Sequence, residues 1–85
     1  MEIDLHKDAK QDFEYWKRSG NKTIRKKIQQ PFADMKEHPF EGIGKPEALK
    51  YELSGKWSRR INEEHRIIYA VSDDIISVYS LRGHY

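Results

Sequence analysis

Residues 57–81 read WSRRINEEHRIIYAVSDDIISVYSL and decide the fold. The segments Trp57–Ile61, Ile67–Val71 and Ile75–Leu81 are rich in β-branched and aromatic residues, which favour strands. Short turns rich in Asn, Asp and Glu separate them. Ile67–Val71 is nearly apolar on both faces, which predicts a central position in the sheet.

The chain before this stretch predicts one more strand of the sheet, preceded by a loop. Leu49, Tyr51 and Leu53 alternate with charged residues, and Ser54-Gly55 marks the turn that ends the strand. His38–Pro46 contains two prolines and two glycines, which predict irregular structure.

The amino-terminal part predicts a short strand and then a helix. Met1, Ile3 and Leu5 alternate with polar residues, which is typical of a strand. Further on, apolar residues follow helical spacing as far as the Ser19-Gly20 stop signal. The residues on this helical face are Ala9, Phe13 and Trp16.

A second helix follows, for which Asn21 is a suitable cap. Pro31 interrupts its pattern, because proline lacks a backbone donor and clashes with the preceding turn. We therefore expect a kink or an early end at Pro31. The apolar residues on one face of this helix are Ile24, Ile28, Phe32 and Met35.

The predicted order is β-α-α-β-β-β-β, an α+β fold in which a two-helix hairpin packs on a mainly antiparallel sheet. With 85 residues, we expect a single domain spanning residues 1–85. Such a chain supports a modest core without a deep cofactor cavity, so no cofactor is expected. It contains no cysteine, which excludes disulfides, thiolate zinc sites and a thiol nucleophile.

The sequence indicates a cytoplasmic protein without a metal site. Its apolar runs are far shorter than the ~20 residues that a membrane helix needs. The amino terminus lacks the basic and apolar regions of a signal peptide. The histidines lack the spacing of a helical metal pair, and they are His6, His38, His65 and His84.

The charges are unevenly distributed along the chain. The net charge is only +2, which argues against a nucleic-acid partner. However, Lys17–Lys27 contains six basic residues and no acid, and Lys56–Arg60 contains three basic residues and no acid. Basic surfaces of this kind favour binding to a polyanion, although each run alone also fits a solvated face.

Several residues could carry chemistry, and each has a plainer interpretation. Glu47 fits a solvated loop acid, and Arg59 and Arg60 fit solvated strand charges that discourage edge pairing. Arg66 fits that interpretation less well, because it opens the most apolar strand. His84 and Tyr85 occupy the last two positions, and terminal residues commonly fray. Trp16 and Trp57 fit a core or an interface, where tryptophans commonly lie.

Glutamate, arginine and histidine together permit metal-free cleavage of RNA, in which the 2′-hydroxyl is the nucleophile. Glutamate would accept the 2′-proton, arginine would stabilise the charge on phosphorus, and histidine would protonate the 5′-oxygen. Composition permits this mechanism without establishing it.

Two long motifs resemble the Txe/YoeB branch of the RelE/ParE toxin superfamily. They are Pro39–Leu49, which reads PFEGIGKPEAL, and Leu53–Tyr69, which reads LSGKWSRRINEEHRIIY. The terminal His84-Tyr85 is a third mark of the branch. Pro31 departs from the family pattern, where relatives tend to carry a helix-forming apolar residue.

The resemblance implies a microbial-ribonuclease-like fold and an endoribonuclease that cuts mRNA in the ribosomal A site. It implies Glu47 as general base, Arg66 as transition-state stabiliser and His84 as general acid. Tyr85 would help to place the mRNA, and two basic residues would line the phosphate path. These basic residues are Lys50 and Arg60.

The resemblance further implies three kinds of partner: a cognate antitoxin protein, the 70S ribosome with its mRNA, and a second copy of the chain in a homodimer. Two alternatives remain open. One is a ParE-like toxin that inhibits gyrase, against which the presence of Glu47 and His84 argues. The other is a non-catalytic module that binds RNA or protein.

Overall fold

The computed structural model describes residues 1–83, so the predictions for His84 and Tyr85 lie outside the described residues. The elements follow the predicted order, with a 3₁₀ turn at Tyr51–Leu53 before the third strand. The helices and strands are β1 Glu2–Leu5, α1 Lys7–Ser19, α2 Lys22–Glu37, β2 Glu47–Ala48, β3 Trp57–Arg60, β4 Arg66–Ser72 and β5 Ile75–Ser80.

The strands form one sheet in the order β1-β5-β4-β3-β2. Within residues 1–83, the β1–β5 pair is parallel and the other three pairs are antiparallel. The prediction that residues 67–71 occupy the centre of the sheet is confirmed, and the last three strands match their predicted bounds to within one residue at each end. The backbone N–H of Glu2 donates to the Asp74 carbonyl at 2.9 Å and that of His6 to the Val78 carbonyl at 2.9 Å, so the first strand is tied to the last.

The two helices form the predicted hairpin. The first ends at Ser19 with Gly20 as its C-cap, and the side-chain oxygen of Asn21 caps the second by accepting from the Ile24 backbone N–H at 3.0 Å. Of the two outcomes expected at Pro31, a kink or an early end, the early end is wrong, because α2 continues to Glu37. Pro31 is itself buried on the core-facing side of α2, and packing there outweighs the single hydrogen bond that proline removes.

The predicted strand at 49–53 is also wrong. The edge strand β2 is limited to Glu47–Ala48, and the chain then enters the 3₁₀ turn. Tyr51 has a φ of 58°, in the left-handed region, and its side chain is 92% exposed. The alternation of Leu49, Tyr51 and Leu53 therefore belongs to a turn, in which only the two leucines are partly covered.

The core lies between the helices and one face of the sheet. Trp16 belongs to it, and the partly buried Trp57 packs against it and contacts the Phe40 ring at 4.8 Å between ring centroids, so of the predicted core or interface positions both tryptophans take the core side. In residues 1–83, no helix combines the length and apolar character needed to cross a membrane. The other core residues are Ala9, Ile24, Ile28, Met35, Ile61, Ile67, Tyr69, Ile76, Val78 and Leu81.

Candidate active site on the open face of the sheet

The pairing register of three strands brings the predicted site residues onto one face. Glu47 of β2 lies opposite Ser58 of β3, and Arg60 of β3 lies opposite Arg66 of β4. Residues directly opposite share a face, as do residues two apart in a strand. These four side chains therefore occupy the face away from the helices, which we call the open face.

Glu47 and Arg66 come together on the open face. Arg66 Nη1 lies 3.9 Å from Glu47 Oε2, and the same nitrogen donates a 3.4 Å hydrogen bond to Ser58 Oγ. The Arg66 side chain is 24% exposed and that of Glu47 is 67% exposed. An ion pair this long and this open to water binds weakly, so it orients the carboxylate without sequestering it.

The two predicted phosphate-path residues lie on either side of Glu47. Lys50 follows β2 and precedes the 3₁₀ turn, whereas Arg60 ends β3, two residues beyond the partner of Glu47. Both are exposed. The Arg60 backbone N–H donates to the Gly44 carbonyl at 2.7 Å, which fastens the end of β3 to the loop before β2. The open face therefore carries the Glu47 carboxylate near the cations of Arg60 and Arg66, and Lys50 follows in the chain.

The chain just before His84 is attached directly to this site. The backbone N–H of Arg66 donates to the Gly83 carbonyl at 3.0 Å. His84 follows Gly83 in the sequence, so the described part of the chain ends beside the strand that presents Arg66. Ser58 is not among the predicted site residues, and its hydroxyl oxygen accepts the hydrogen bond from the Arg66 guanidinium.

Arg59 lies on the opposite face, and the expectation of a solvated strand charge is wrong for it. Its side chain is fully buried and makes five hydrogen bonds. Nη1 donates to Asp34 Oδ2 at 2.6 Å and Nε donates to the Tyr69 hydroxyl oxygen at 3.2 Å. The hydrogen bond from Arg59 holds the pKa of Asp34 below its ordinary value, and burial raises the pKa of the Tyr69 phenol.

The remaining bonds of Arg59 go to the backbone of the 38–44 loop. Nη1 donates to the Ile43 carbonyl at 3.1 Å, and Nη2 donates to the carbonyls of Glu41, at 2.6 Å, and His38. The Tyr69 hydroxyl, which stays protonated, donates in turn to the Pro39 carbonyl at 2.7 Å. We call this set of contacts the arginine knot. It fixes the loop that leads into Glu47.

Sequence reasoning missed the arginine knot, although one signal for it was present. Trp57, Arg59 and Ile61 alternate along β3 and just beyond it, so Arg59 shares the core-facing side with two large apolar residues. A charged residue at such a position needs an anionic partner. That partner, Asp34, comes from a helix 25 residues away in sequence.

No group of three or more potential metal ligands occurs within residues 1–83. The arrangement that the structure describes is instead a carboxylate and a guanidinium on a basic sheet face. Such a pair can accept a proton at one point and stabilise anionic oxygen at another.

Comparison with known proteins identifies the family of the chain. Residues 5–85 match the family model described as "YoeB-like toxin of bacterial type II toxin-antitoxin system". The chain is 47% identical over 85 residues to Toxin YoeB of Escherichia coli strain K12, covering 100% of both chains.

Solved structures agree in fold. A YoeB/ParE toxin from Agrobacterium tumefaciens superposes with a TM-score of 0.94 at 38% identity, with 100% of both chains covered. The Staphylococcus aureus YoeB-YefM complex matches with a TM-score of 0.89 at 41% identity, covering 100% of this chain and 98% of that one. The S. aureus YoeB dimer matches with a TM-score of 0.89 at 40% identity and the same coverage. A full-length sequence match joined to this shared architecture establishes that the chain belongs to the YoeB-like toxins of bacterial type II toxin-antitoxin systems.

Proposed function

We propose that this toxin is a ribosome-dependent mRNA endoribonuclease that inhibits translation by cutting mRNA in the ribosomal A site. The observation that carries the proposal is the 3.9 Å approach of the Glu47 carboxylate to the Arg66 guanidinium on the open face. In a toxin of this family, a base and a phosphate-binding cation side by side are suited to phosphodiester cleavage.

The proposed reaction is attack of the RNA 2′-hydroxyl on its own phosphate. Glu47 accepts the 2′-proton while the 2′-oxygen bonds to phosphorus. His84 donates a proton to the 5′-oxygen as the bond from phosphorus to that oxygen breaks. The products are a 2′,3′-cyclic phosphate on one fragment and a 5′-hydroxyl on the other, and no cofactor is consumed.

The environments of the two described residues suit these roles. The Glu47 carboxylate is largely exposed on the open face, where a substrate hydroxyl can reach it. Arg66 stays charged and carries five N–H donors, and its contacts to Glu47 and Ser58 both use Nη1. The rest of the guanidinium fork suits a phosphate whose negative charge grows in the transition state.

Lys50, Arg60 and Tyr85 complete the proposed substrate site, the two cations by holding flanking phosphates. The basic run Lys17–Lys27 spans the end of α1 and the start of α2, away from these residues in sequence. We assign it to long-range attraction toward ribosomal RNA, which raises association rates and makes them salt-dependent. Such a toxin acts in the cytoplasm, where the 70S ribosome and its mRNA are found.

Two protein partners are also proposed. The S. aureus relative occurs in a complex with YefM and as a dimer. By analogy, this toxin binds a cognate antitoxin and forms a homodimer. A size measurement on the purified toxin, alone and mixed with the antitoxin, tests both assemblies.

The proposed activity is tested by single-turnover cleavage on 70S ribosomes programmed with a defined mRNA. We expect new 5′ ends at the A-site codon, no cleavage of the same mRNA without ribosomes, and loss of cleavage in His84→Ala. Intact mRNA with the parent toxin contradicts the proposal, and gyrase inhibition in its place supports the ParE-like alternative. Cleavage by His84→Ala at the parent rate contradicts the general-acid role of His84 and leaves the rest of the proposal unaffected.

A further inference from the structure

Four hydrogen bonds to residues distant in the sequence hold the chain segment 81–83, and we call these four bonds and their partner residues the tail anchor. At Leu81, the backbone N–H donates to Asp12 Oδ2 at 2.9 Å and the carbonyl accepts from Trp16 Nε1 at 3.0 Å. At Gly83, the backbone N–H donates to His65 Nδ1 at 2.8 Å and the carbonyl accepts from the Arg66 N–H. The backbone N–H and the carbonyl of both Leu81 and Gly83 are therefore bonded to residues distant in the sequence.

Both the side chain and the backbone of His65 are restrained by neighbouring residues. Its side chain is only 18% exposed and packs edge-on against the Trp16 ring, with 4.8 Å between the centroids. Its backbone is fixed by the preceding turn, since Asn62 Oδ1 accepts from its N–H at 2.8 Å and its carbonyl accepts from Ile61 at 2.9 Å. An imidazole so restrained is a preorganised acceptor, and accepting at Nδ1 places its ring proton on Nε2.

The dipeptide His65-Arg66 connects the two halves of the proposed site. The His65 ring and the Arg66 backbone bind the N–H and carbonyl of Gly83, while the Arg66 side chain approaches Glu47. The Gly83 carbonyl accepts from the N–H of Arg66, the first residue of β4, so whatever fixes Gly83 also restrains the start of that strand. In the sequence, Gly83 is followed by His84, the proposed general acid.

We propose that His65 is a positioning residue for the cleavage reaction, acting through the Gly83 N–H to hold the start of β4 and so to keep the Arg66 guanidinium beside Glu47. The inference rests on the proposed function and assigns to His65 no contact with the substrate. A displacement of about 1 Å in a catalytic group costs about 100-fold in rate. Loss of the anchor should therefore slow the chemical step and leave ribosome binding unchanged.

The test compares His65→Leu, which deletes the acceptor, with His65→Asn, whose side-chain oxygen can take the place of Nδ1. His38→Leu is the matched control, because that histidine is half exposed and lies in the loop after α2. Single-turnover cleavage is measured over a range of programmed-ribosome concentrations. We expect a ten- to hundredfold lower maximal rate for His65→Leu, an unchanged half-saturating concentration, recovery in His65→Asn, and parent behaviour in His38→Leu.

Hydrogen exchange of the Gly83 amide gives a second, independent measurement by NMR. It should be fast in His65→Leu and slow in the parent and in His65→Asn. Trp16→Phe provides a variant if His65→Leu folds poorly, since it removes the donor to Leu81 and keeps a smaller aromatic ring in the core. An equal maximal rate in a folded His65→Leu overturns the inference, as does a slow rate in His65→Asn with a protected Gly83 amide. A parent that leaves ribosome-bound mRNA intact overturns the proposed function itself, a distinct result.

Discussion

Arg59 and Arg66 belong to neighbouring strands, yet they lie on opposite faces of the sheet and differ in almost every physical respect. Arg59 is fully buried, and its five hydrogen bonds join Asp34, Tyr69 and the 38–44 loop. Arg66 is partly exposed, and its contacts with Ser58 and Glu47 are long. All five N–H donors of Arg59 are taken up by the protein, whereas the contacts of Arg66 within residues 1–83 are two long ones at a single nitrogen, which suits an incoming anion.

The buried contacts that support the fold therefore lie on one face of the sheet, and the proposed chemistry lies on the other. The arginine knot fixes the loop before β2, and the Gly44 carbonyl in that loop receives the Arg60 N–H. These contacts lie on the other side of the sheet, and through the loop they help to position Glu47 on the open face. Substitutions on the two faces should therefore give separable effects, which the following variants measure.

The largest expected effect is on activity, from Glu47→Gln. This change keeps the size of the side chain and removes the proposed base, so the cleavage rate on programmed ribosomes should fall about 10²- to 10⁴-fold. Because the side chain is 67% exposed, the free energy of unfolding should change by less than about 0.5 kcal/mol. Glu37→Gln, at the exposed end of α2, is the control and should cleave like the parent. Cleavage by Glu47→Gln at the parent rate would contradict the role of Glu47 as general base.

The largest effect on stability is expected from Arg59→Leu. Removing one partner from a buried ion pair leaves the other uncompensated, which typically costs about 3–5 kcal/mol of unfolding free energy. Arg60→Leu is the matched control in the next position, where the side chain is exposed and the cost should stay within about 0.5 kcal/mol. Urea unfolding measures both. Equal midpoints for the two variants would contradict the structural role of the knot.

A smaller loss of stability is expected from Gly44→Ala. Gly44 has a φ of +81°, and a Cβ built there would lie 2.8 Å from the Arg60 carbonyl oxygen. Gly55 shares the left-handed conformation, with a φ of +93°, but faces open space. Backbone strain of about 1–2 kcal/mol should therefore be common to both alanine variants. The extra loss in Gly44→Ala, read from thermal unfolding, reports the backbone contact, and a loss no larger than that of Gly55→Ala would rule that contact out.

The smallest expected effect is the dependence of stability on acid pH through Asp34. The Arg59 hydrogen bond lowers the pKa of this carboxyl from its ordinary 3.8 in the folded state, so folding favours the ionised form. The resulting stabilisation is complete above pH 3.8 and is lost as the pH falls through the lower, folded-state pKa. Asp34→Asn should lack this component. Parallel stability curves for parent and variant below pH 4 would contradict it.

Local patterns in the sequence were sufficient for most of the fold. The β-branched run in β4 identified the central strand, and the helical spacing around Trp16 identified α1. Two local patterns misled. The alternation at 49–53 proved to be a turn, because Tyr51 adopts a left-handed backbone that no periodicity reveals. Pro31 was read by its own chemistry alone, while the packing of its helix face decided the outcome.

The candidate site was predictable in part. Family motifs identified Glu47 and Arg66, and the strand register then places them on one face. The contacts that hold them come from elements distant in sequence: Asp34 reaches Arg59 across 25 residues and Asp12 reaches Leu81 across 69. Such pairings depend on how helices dock on the sheet, which residue type and spacing do not specify. The charge of Arg59 alone therefore predicts an exposed side chain, although its alternation with Trp57 indicates a core-facing one.

The parallel pairing of β1 with β5 has a consequence for how the protein is made. Residues 2–5, the first strand to be synthesised, pair with residues 75–78. Contacts between such distant parts of a chain form late, because a long loop must close before they bring any gain. During translation β1 has no partner strand until nearly the whole chain exists. A nascent chain therefore carries an incomplete sheet, and β1 can join it only after synthesis has passed β5.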